Sequence, residues 1–263
     1  MNEQKQCSCP PGECDTFQFM NRNLGMKVLH PGGLQATKLL AEKCGITSDM
    51  TVLDAGCGRG SSSVFLAKHF GCKVVGVDVD PVSLFKAQEN ARRKKVSDKV
   101  AFRLADLDSL PSIGNMFDGA VFQASLIFCD KAAVLRSVAR QIQPGGFLGA
   151  VELAWKLPPT PYIVSRVKSV LCAAAVNAEL HSGWVSLFQQ ANLVVDASEV
   201  GHLGFGFRDM VANEGLISAS RIALKCSFNK AARRRIAAIT NLFKETQPYL
   251  GYGIYVCRKS ALD

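Results

Sequence analysis

The sequence predicts an α/β fold: a doubly wound, mostly parallel sheet covered by helices on both faces. Three observations lead there. Short apolar runs and longer amphipathic stretches alternate through residues 30–155, the order that parallel strands joined by crossover helices require. The first apolar run empties into a glycine-rich turn, Gly56-Cys57-Gly58-Arg59-Gly60. Acidic residues, Asp78 and Asp106, stand at the ends of the next two runs, at the sheet edge where such folds bind ligands.

Residues 1–29 read as an N-terminal arm, polar and loosely ordered in its first part. Residues 30–263 read as one domain with helical additions. His30-Pro31-Gly32-Gly33 breaks the chain, and Leu34, Leu39 and Leu40 then recur at helical spacing up to Gly45. Thr51–Ala55 is a strand, and a helix follows the glycine turn to about Phe70. Lys73–Asp78 is the second strand. Pro81 opens the next helix, as proline favours the first turn. Lys99–Leu104 and Phe117–Gln123 are strands, with a helix from about Lys131 to Gln143. The turn Pro144-Gly145-Gly146 leads into a strand over Phe147–Leu153. Beyond Trp155, Tyr162–Ala178 and Ser182–Ala191 have helical patterns. Leu193–Val200 and Tyr252–Cys257 read as strands, and the intervening stretch, about 201–250, reads as a helical lid or insert.

Composition excludes several classes. The 263 residues are 48% apolar and 20% charged, with a mean hydropathy of +0.11, enough for a full core. No apolar run approaches the roughly 20 residues of a membrane-spanning helix, and the N-terminus lacks a signal-peptide core. A soluble, cytoplasmic protein with no membrane partner is expected. The net charge is +9. Its two basic runs, Arg92–Lys95 and Arg233–Arg235, fall on helical patterns without interleaved aromatics, so nucleic acid is not the expected partner. Most of the 10 cysteines sit in apolar segments and read as buried thiols. Cys7, Cys9 and Cys14 cluster in a Pro/Gly-rich stretch that could hold a soft metal or metalloid. No second cluster has zinc-site spacing, and no metal is expected.

The strand ends carry the chemistry. Asp54 precedes the first glycine of the turn by two residues. A carboxylate there repels a pyrophosphate and suits a cationic amino group. Asp78 can accept both hydroxyls of a ribose. Asp106 can accept an exocyclic adenine N–H, with the Leu107 backbone N–H reaching a ring nitrogen. An amino acid, a ribose and an adenine together describe S-adenosylmethionine.

The ordered set Val52–Gly60, Val75–Asp80, Ala105-Asp106, Phe117-Asp118 and Gln143–Gly146 resembles the class I S-adenosylmethionine-dependent methyltransferases, of the broad group that modifies small molecules. The resemblance spans about residues 30–155. It implies a seven-stranded sheet whose last strand is antiparallel. It implies cofactor contacts at Asp54, Gly56, Gly58, Asp78, Asp106, Leu107 and Gln123, to which Cys57, Gly60 and Val79 of the same loop and strand ends are added. On the acceptor side, Glu152 is a candidate to act as base or to bind a cationic substrate, and His30 a candidate for touching substrate or cofactor. Trp155 and Ser125 are expected to border the substrate. The expected reaction is methyl transfer to a small-molecule nucleophile. The cysteines keep an arsenical or thiol acceptor open, the charge keeps an RNA or protein acceptor open, and a non-catalytic, cofactor-binding regulator is the alternative from another class.

Overall fold

The computed structural model describes residues 15–111 and 116–261. Cys7, Cys9 and Cys14 lie outside them. The chain begins with α1 (Asp15–Gln18), which continues as a wider π turn over Phe19–Leu24. Next come α2 (Gly33–Cys44), β1 (Thr51–Ala55), α3 (Ser61–His69), β2 (Lys73–Asp78), α4 (Pro81–Lys94), β3 (Val100–Leu104), β4 (Phe117–Gln123), α5 (Lys131–Ala139) and β5 (Ile142–Trp155). The second half holds α6 (Pro161–Val170), the two-residue β6 (Glu179–Leu180), α7 (His181–Gln190), β7 (Leu193–Gly201), α8 (Phe207–Glu214), α9 (Leu216–Phe228), α10 (Lys230–Thr246) and β8 (Leu250–Lys259).

The strand order is β3-β2-β1-β4-β5-β8-β7, with β6 on the end of β5. The first five strands pair in parallel, and β8 runs antiparallel to both β5 and β7. The predicted architecture is present, with β6 as a small addition. The alternation of each strand feeds two cores. Leu53, Phe122, Leu148 and Tyr255 meet α5 and α7 on one face. Val52, Val121, Phe147 and Ile254 meet α2 and α3 on the other. Local signals place several helix starts: Asp80 caps α4, accepting the N–H groups of Val82 and Ser83 ahead of Pro81, and Asp130 caps α5 through the Ala133 N–H.

Three expectations change. The expected helix over Tyr162–Ala178 stops at Val170. The Thr16 hydroxyl donates to the Val170 and Leu171 carbonyls, taking acceptors that the next helical turn would need. Strand β5 is longer than Phe147–Leu153 at both ends: its start pairs Ile142 with Phe117 before a register shift, and its end pairs with β6 and β8. The arm is not loose over its described part. Leu24, Met26 and Val28 are buried, and Leu24 and Met26 share a core with Met210, Ala219 and Ile222 of α8 and α9. Glu214 of α8 accepts the backbone N–H groups of Lys27 (2.5 Å) and Val28 (2.9 Å). Asn213 accepts that of Leu34 at 3.2 Å. The segment before α2 and the three helices after β7 thus form one cap.

Trp155 is 4% exposed and packs with Ile163, Val167, Leu242 and Leu250. It is a core residue between sheet and cap, and the expectation that it borders substrate is corrected. Trp155→Ala should destabilise the fold by about 3–5 kcal/mol, the range for emptying a large aromatic site. Denaturant unfolding checks this, and a loss below about 1 kcal/mol would contradict the packing described.

Candidate active site

The order reversal around β1, with β2 on one side and β4 on the other, opens a cleft at the carboxyl ends of these strands. Asp54, the turn residues Gly56 to Arg59, Asp78, Val79, Asp106, Leu107, Gln123 and Ser125 all line it; Gly60 does not, and a Cβ there would meet Phe102 and Ala87 instead. The turn is held tightly. The N–H groups of Gly56 and Cys57 both donate to the Val77 carbonyl at 2.9 Å. Gly56 sits at φ 81°, and a Cβ there would come within 2.4 Å of Ser125 Cβ, so only glycine fits. A Cβ at Gly58 would instead meet open space, which is the face the turn presents to a ligand. Asp78 receives the Gly58 N–H on one carboxylate oxygen (2.7 Å) and the Asp80 N–H on the other (2.9 Å). Each oxygen keeps lone-pair capacity toward the cleft. Asp106 is exposed and caps the short turn Leu107–Ser109 by accepting the Asp108 N–H.

Asp54 is buried and accepts a 2.5 Å hydrogen bond from the Ser63 hydroxyl. Burial, helped by the nearby Asp78 charge, pushes its carboxyl up to about 6, against the pull of Ser63. Such a group gains most from a cation placed beside it.

His30 stands at the mouth of a second space. Its Nε2 lies 3.2 Å from the Thr37 hydroxyl and 3.3 Å from that of Ser62. Thr37 also donates to Gln123 Oε1 at 2.6 Å. Burial lowers the His30 imidazole to about 4, so it is uncharged near neutrality. Gln123 lines the cleft, and its buried amide Nε2 has no hydrogen-bond partner among the described residues. Beyond it, Ala124 takes φ 57°, a strained conformation for a residue with a Cβ. Leu29, His30 and Ala124 line both the cleft and an adjoining cavity walled by Met20, Met26, Ile127, Leu153, Phe205, Ile239 and Phe243.

A family model described as "Methyltransferase domain" matches residues 46–186. The chain belongs to this methyltransferase family. It is a class I methyltransferase, an enzyme class whose methyl donor is S-adenosylmethionine. It is 26% identical over 238 residues to an uncharacterised protein of Haemophilus influenzae, covering 89% of this chain and 94% of that protein. It is 31% identical to the uncharacterised methyltransferase YodH of Bacillus subtilis over 52% of this chain, and spans only 58% of YodH. A solved methyltransferase structure from Geobacter sulfurreducens, in complex with S-adenosylhomocysteine, superposes with a TM-score of 0.70 at 17% identity, covering 95% of this chain and 98% of that one. At that identity the likeness is one of fold.

Within the methyltransferase, the cofactor-side candidates other than Gly60 gather on one cleft, but the candidate base does not join them. Glu152 is fully buried, and the residues lining the cleft and the cavity do not include it. Its Oε1 accepts the N–H groups of Ser125 (3.0 Å) and Leu126 (3.1 Å). The expectation of a catalytic Glu152 is therefore corrected: it holds the loop that forces Ala124 into its unusual backbone. Ser125 does line the cleft, although its hydroxyl is spent on the Ala55 carbonyl at 2.7 Å. Sequence reasoning missed Thr37, Ser62, Ser63 and Ala124. The serines follow the glycine turn directly, and that spacing was the available signal. Nothing in the sequence marks an alanine for a left-handed backbone.

Burial pushes the Glu152 carboxyl from an ordinary 4.5 up to about 7, although the Leu126 and Ser125 N–H groups and Lys131 pull the other way. The native state then keeps a proton that the unfolded chain releases, so this residue's contribution to stability falls as pH rises from about 4.5 to 7. Glu152→Gln, which still accepts both N–H groups, should gain stability relative to the native protein across that window and no further above it. Urea midpoints measured from pH 4.5 to 8 test this, and parallel curves for the two proteins would refute it.

Proposed function

We propose that the enzyme transfers the methyl group of S-adenosylmethionine, held in the cleft, to a small molecule with an apolar body held in the adjoining cavity. The observation that carries this reading is the meeting of the two spaces at Leu29, His30 and Ala124. One space is lined by carboxylates and backbone N–H groups. The other is mostly aliphatic and aromatic, with few polar groups, as a site for a small apolar ligand would be.

The cleft residues fit the cofactor. Asp78 retains acceptor capacity for a ribose diol, the open space at Gly58 admits close approach, and Asp54 is suited to an ammonium group. Asp106 and the Leu107 N–H stand where an adenine would be read. The unpartnered Gln123 Nε2 can donate to a carboxylate or to the acceptor at the junction. Bound S-adenosylmethionine supplies an already electrophilic methyl. The protein's task is alignment and the exclusion of water. The Thr37–Gln123 hydrogen bond fixes the amide, and the strained Ala124 shapes the neck where the two ligands would meet. The uncharged His30 is a weak base there but can hydrogen-bond the acceptor's polar end. The cap supplies the cover.

A soft-nucleophile acceptor held by thiolates of the described residues finds less support. Burial raises every described cysteine whose titration is perturbed, among them Cys57 and Cys129 in the cleft and Cys72, at about 11. Such thiols stay protonated and make poor ligands.

Asp78→Ala should weaken S-adenosylmethionine binding more than about tenfold, since each lost charge-assisted bond is worth roughly 1.5–3 kcal/mol. Calorimetry giving unchanged affinity, or tighter binding of NADH by the native protein, would overturn the cofactor assignment. Labelled S-adenosylmethionine offered with fractionated metabolites should place the methyl on an apolar-bodied product. Phe243→Ala should then raise the acceptor KM about tenfold or more and leave cofactor affinity within about twofold, because Phe243 lines the cavity and not the cleft. An equal effect on both ligands would refute the division of the site.

A further inference from the structure

We infer that the outer face of the cap, α9 with the start of α10, docks on an anionic membrane surface. The inference rests on this surface alone and does not require the catalytic reading.

Helix α9 has two apolar sides. Ala219 and Ile222 face inward and are buried. Ile217, Arg221, Leu224 and Phe228 recur at i, i+4, i+7 and i+11, which is one stripe of a helix, and all four are exposed. Ile217 is 71% and Phe228 86% exposed. Phe228 ends α9, and Asn229 and Lys230 turn the chain into α10, so the most exposed aromatic stands at a corner of the cap. From Gly215 to Lys244 the chain carries Arg221, Lys225, Lys230, Arg233, Arg234, Arg235 and Lys244 and no acidic residue. An amphipathic surface with bulky apolar side chains set among cations only is built to enter a headgroup layer while its charges meet lipid phosphates.

The charge also argues against other occupants. A second copy of the chain, related by a twofold axis on this face, would bring like charges together. A nucleic acid would have its phosphates matched by the cations, but of the exposed apolar side chains only Phe228 could stack a base, and Leu216, Ile217 and Leu224 offer no platform for its neighbours. Among the described residues no helix is long and apolar enough to cross a membrane, and the sequence expectation of no membrane partner rested on the lack of a spanning run and of a signal-peptide core. Peripheral docking makes a different demand, which α9 meets. The inner sides of the same cap wall the apolar cavity through Met210, Ile239 and Phe243.

The test is flotation of the full-length protein with phosphatidylcholine vesicles, with and without about one-third phosphatidylglycerol, at low and high salt. Binding to the anionic vesicles, weakened by salt, is expected. A cation near an anionic surface is worth about fivefold in binding, so reversing both Arg221 and Arg234 (R221E with R234E) should weaken it at least tenfold. Ile217→Ser with Phe228→Ser should weaken it at any salt concentration. Unchanged S-adenosylhomocysteine affinity would show that the variants are folded. No binding to anionic vesicles, equal binding to neutral ones, or full binding by the serine variant would each overturn the inference. So would tighter binding of a short RNA duplex than of vesicles under the same conditions.

Discussion

The Val77 carbonyl accepts two backbone N–H groups, from Gly56 and Cys57, and the geometry of the cleft depends on that shared acceptor. It ties the turn after β1 to the end of β2. Asp78 follows at once and takes up the Gly58 N–H, so the ligand-facing carboxylate and the glycine turn are parts of one hydrogen-bonded unit. The β4 side closes it: Ser125 reaches across to the Ala55 carbonyl, and Glu152 holds Ser125 and Leu126 from behind. Three parallel strands are thereby fixed at their carboxyl ends. A cleft set by main-chain geometry places its donors and carboxylates firmly, as the alignment of bound reactants requires.

The cap is attached differently. It meets the sheet domain through the segment before α2, held by the buried carboxylate of Glu214, through the start of α2, where Asn213 accepts the Leu34 N–H, and through Leu242 of α10 packed near Trp155. Two carboxylate-accepted N–H bonds and one amide-accepted bond, backed by a small core around Leu24, Met26 and Met210, join the chain's beginning to its later helices. The cap walls the apolar cavity, and its first segment, through Lys27, Leu29 and His30, also lines the cleft.

The parallel half of the fold was legible because each strand ends in a residue with a chemical reason to be there. Asp54, the glycine turn, Asp78 and Asp106 are readable in order, and the structure gathers them on one cleft. Glu152 and Trp155 were misread for one physical cause. Strand β5 runs on to Trp155 and pairs there with β6 and β8, so positions that look like a strand end lie inside a sheet. Alternation then sends Glu152 into the same face as Ala150 and Ala154. The end of α6 was hidden for a related reason: a run of alanines favours helix, while the Thr16 hydroxyl, some 154 residues away in sequence, takes the carbonyls that the helix would have used. Local pattern carries no record of such a partner.

The junction at Ala124 joins these two kinds of information. Its left-handed backbone is held by its own N–H, given to the Val151 carbonyl at 2.8 Å, and by the Glu152 carboxyl that accepts the next two N–H groups. A buried carboxyl raised toward 7 and a strained backbone are both unfavourable to folding alone. Together they bend the chain beyond β4 so that Gln123 faces the cleft and Ala124 presents only a methyl group where cleft and cavity meet. A bulkier side chain at 124 would fill the neck, and a relaxed backbone would turn the Gln123 amide away from Thr37. The strain is thus concentrated at the neck where, on the proposed function, the methyl group would pass from one space to the other, and the acidic residue that sequence reading took for a base acts from behind, through the backbone.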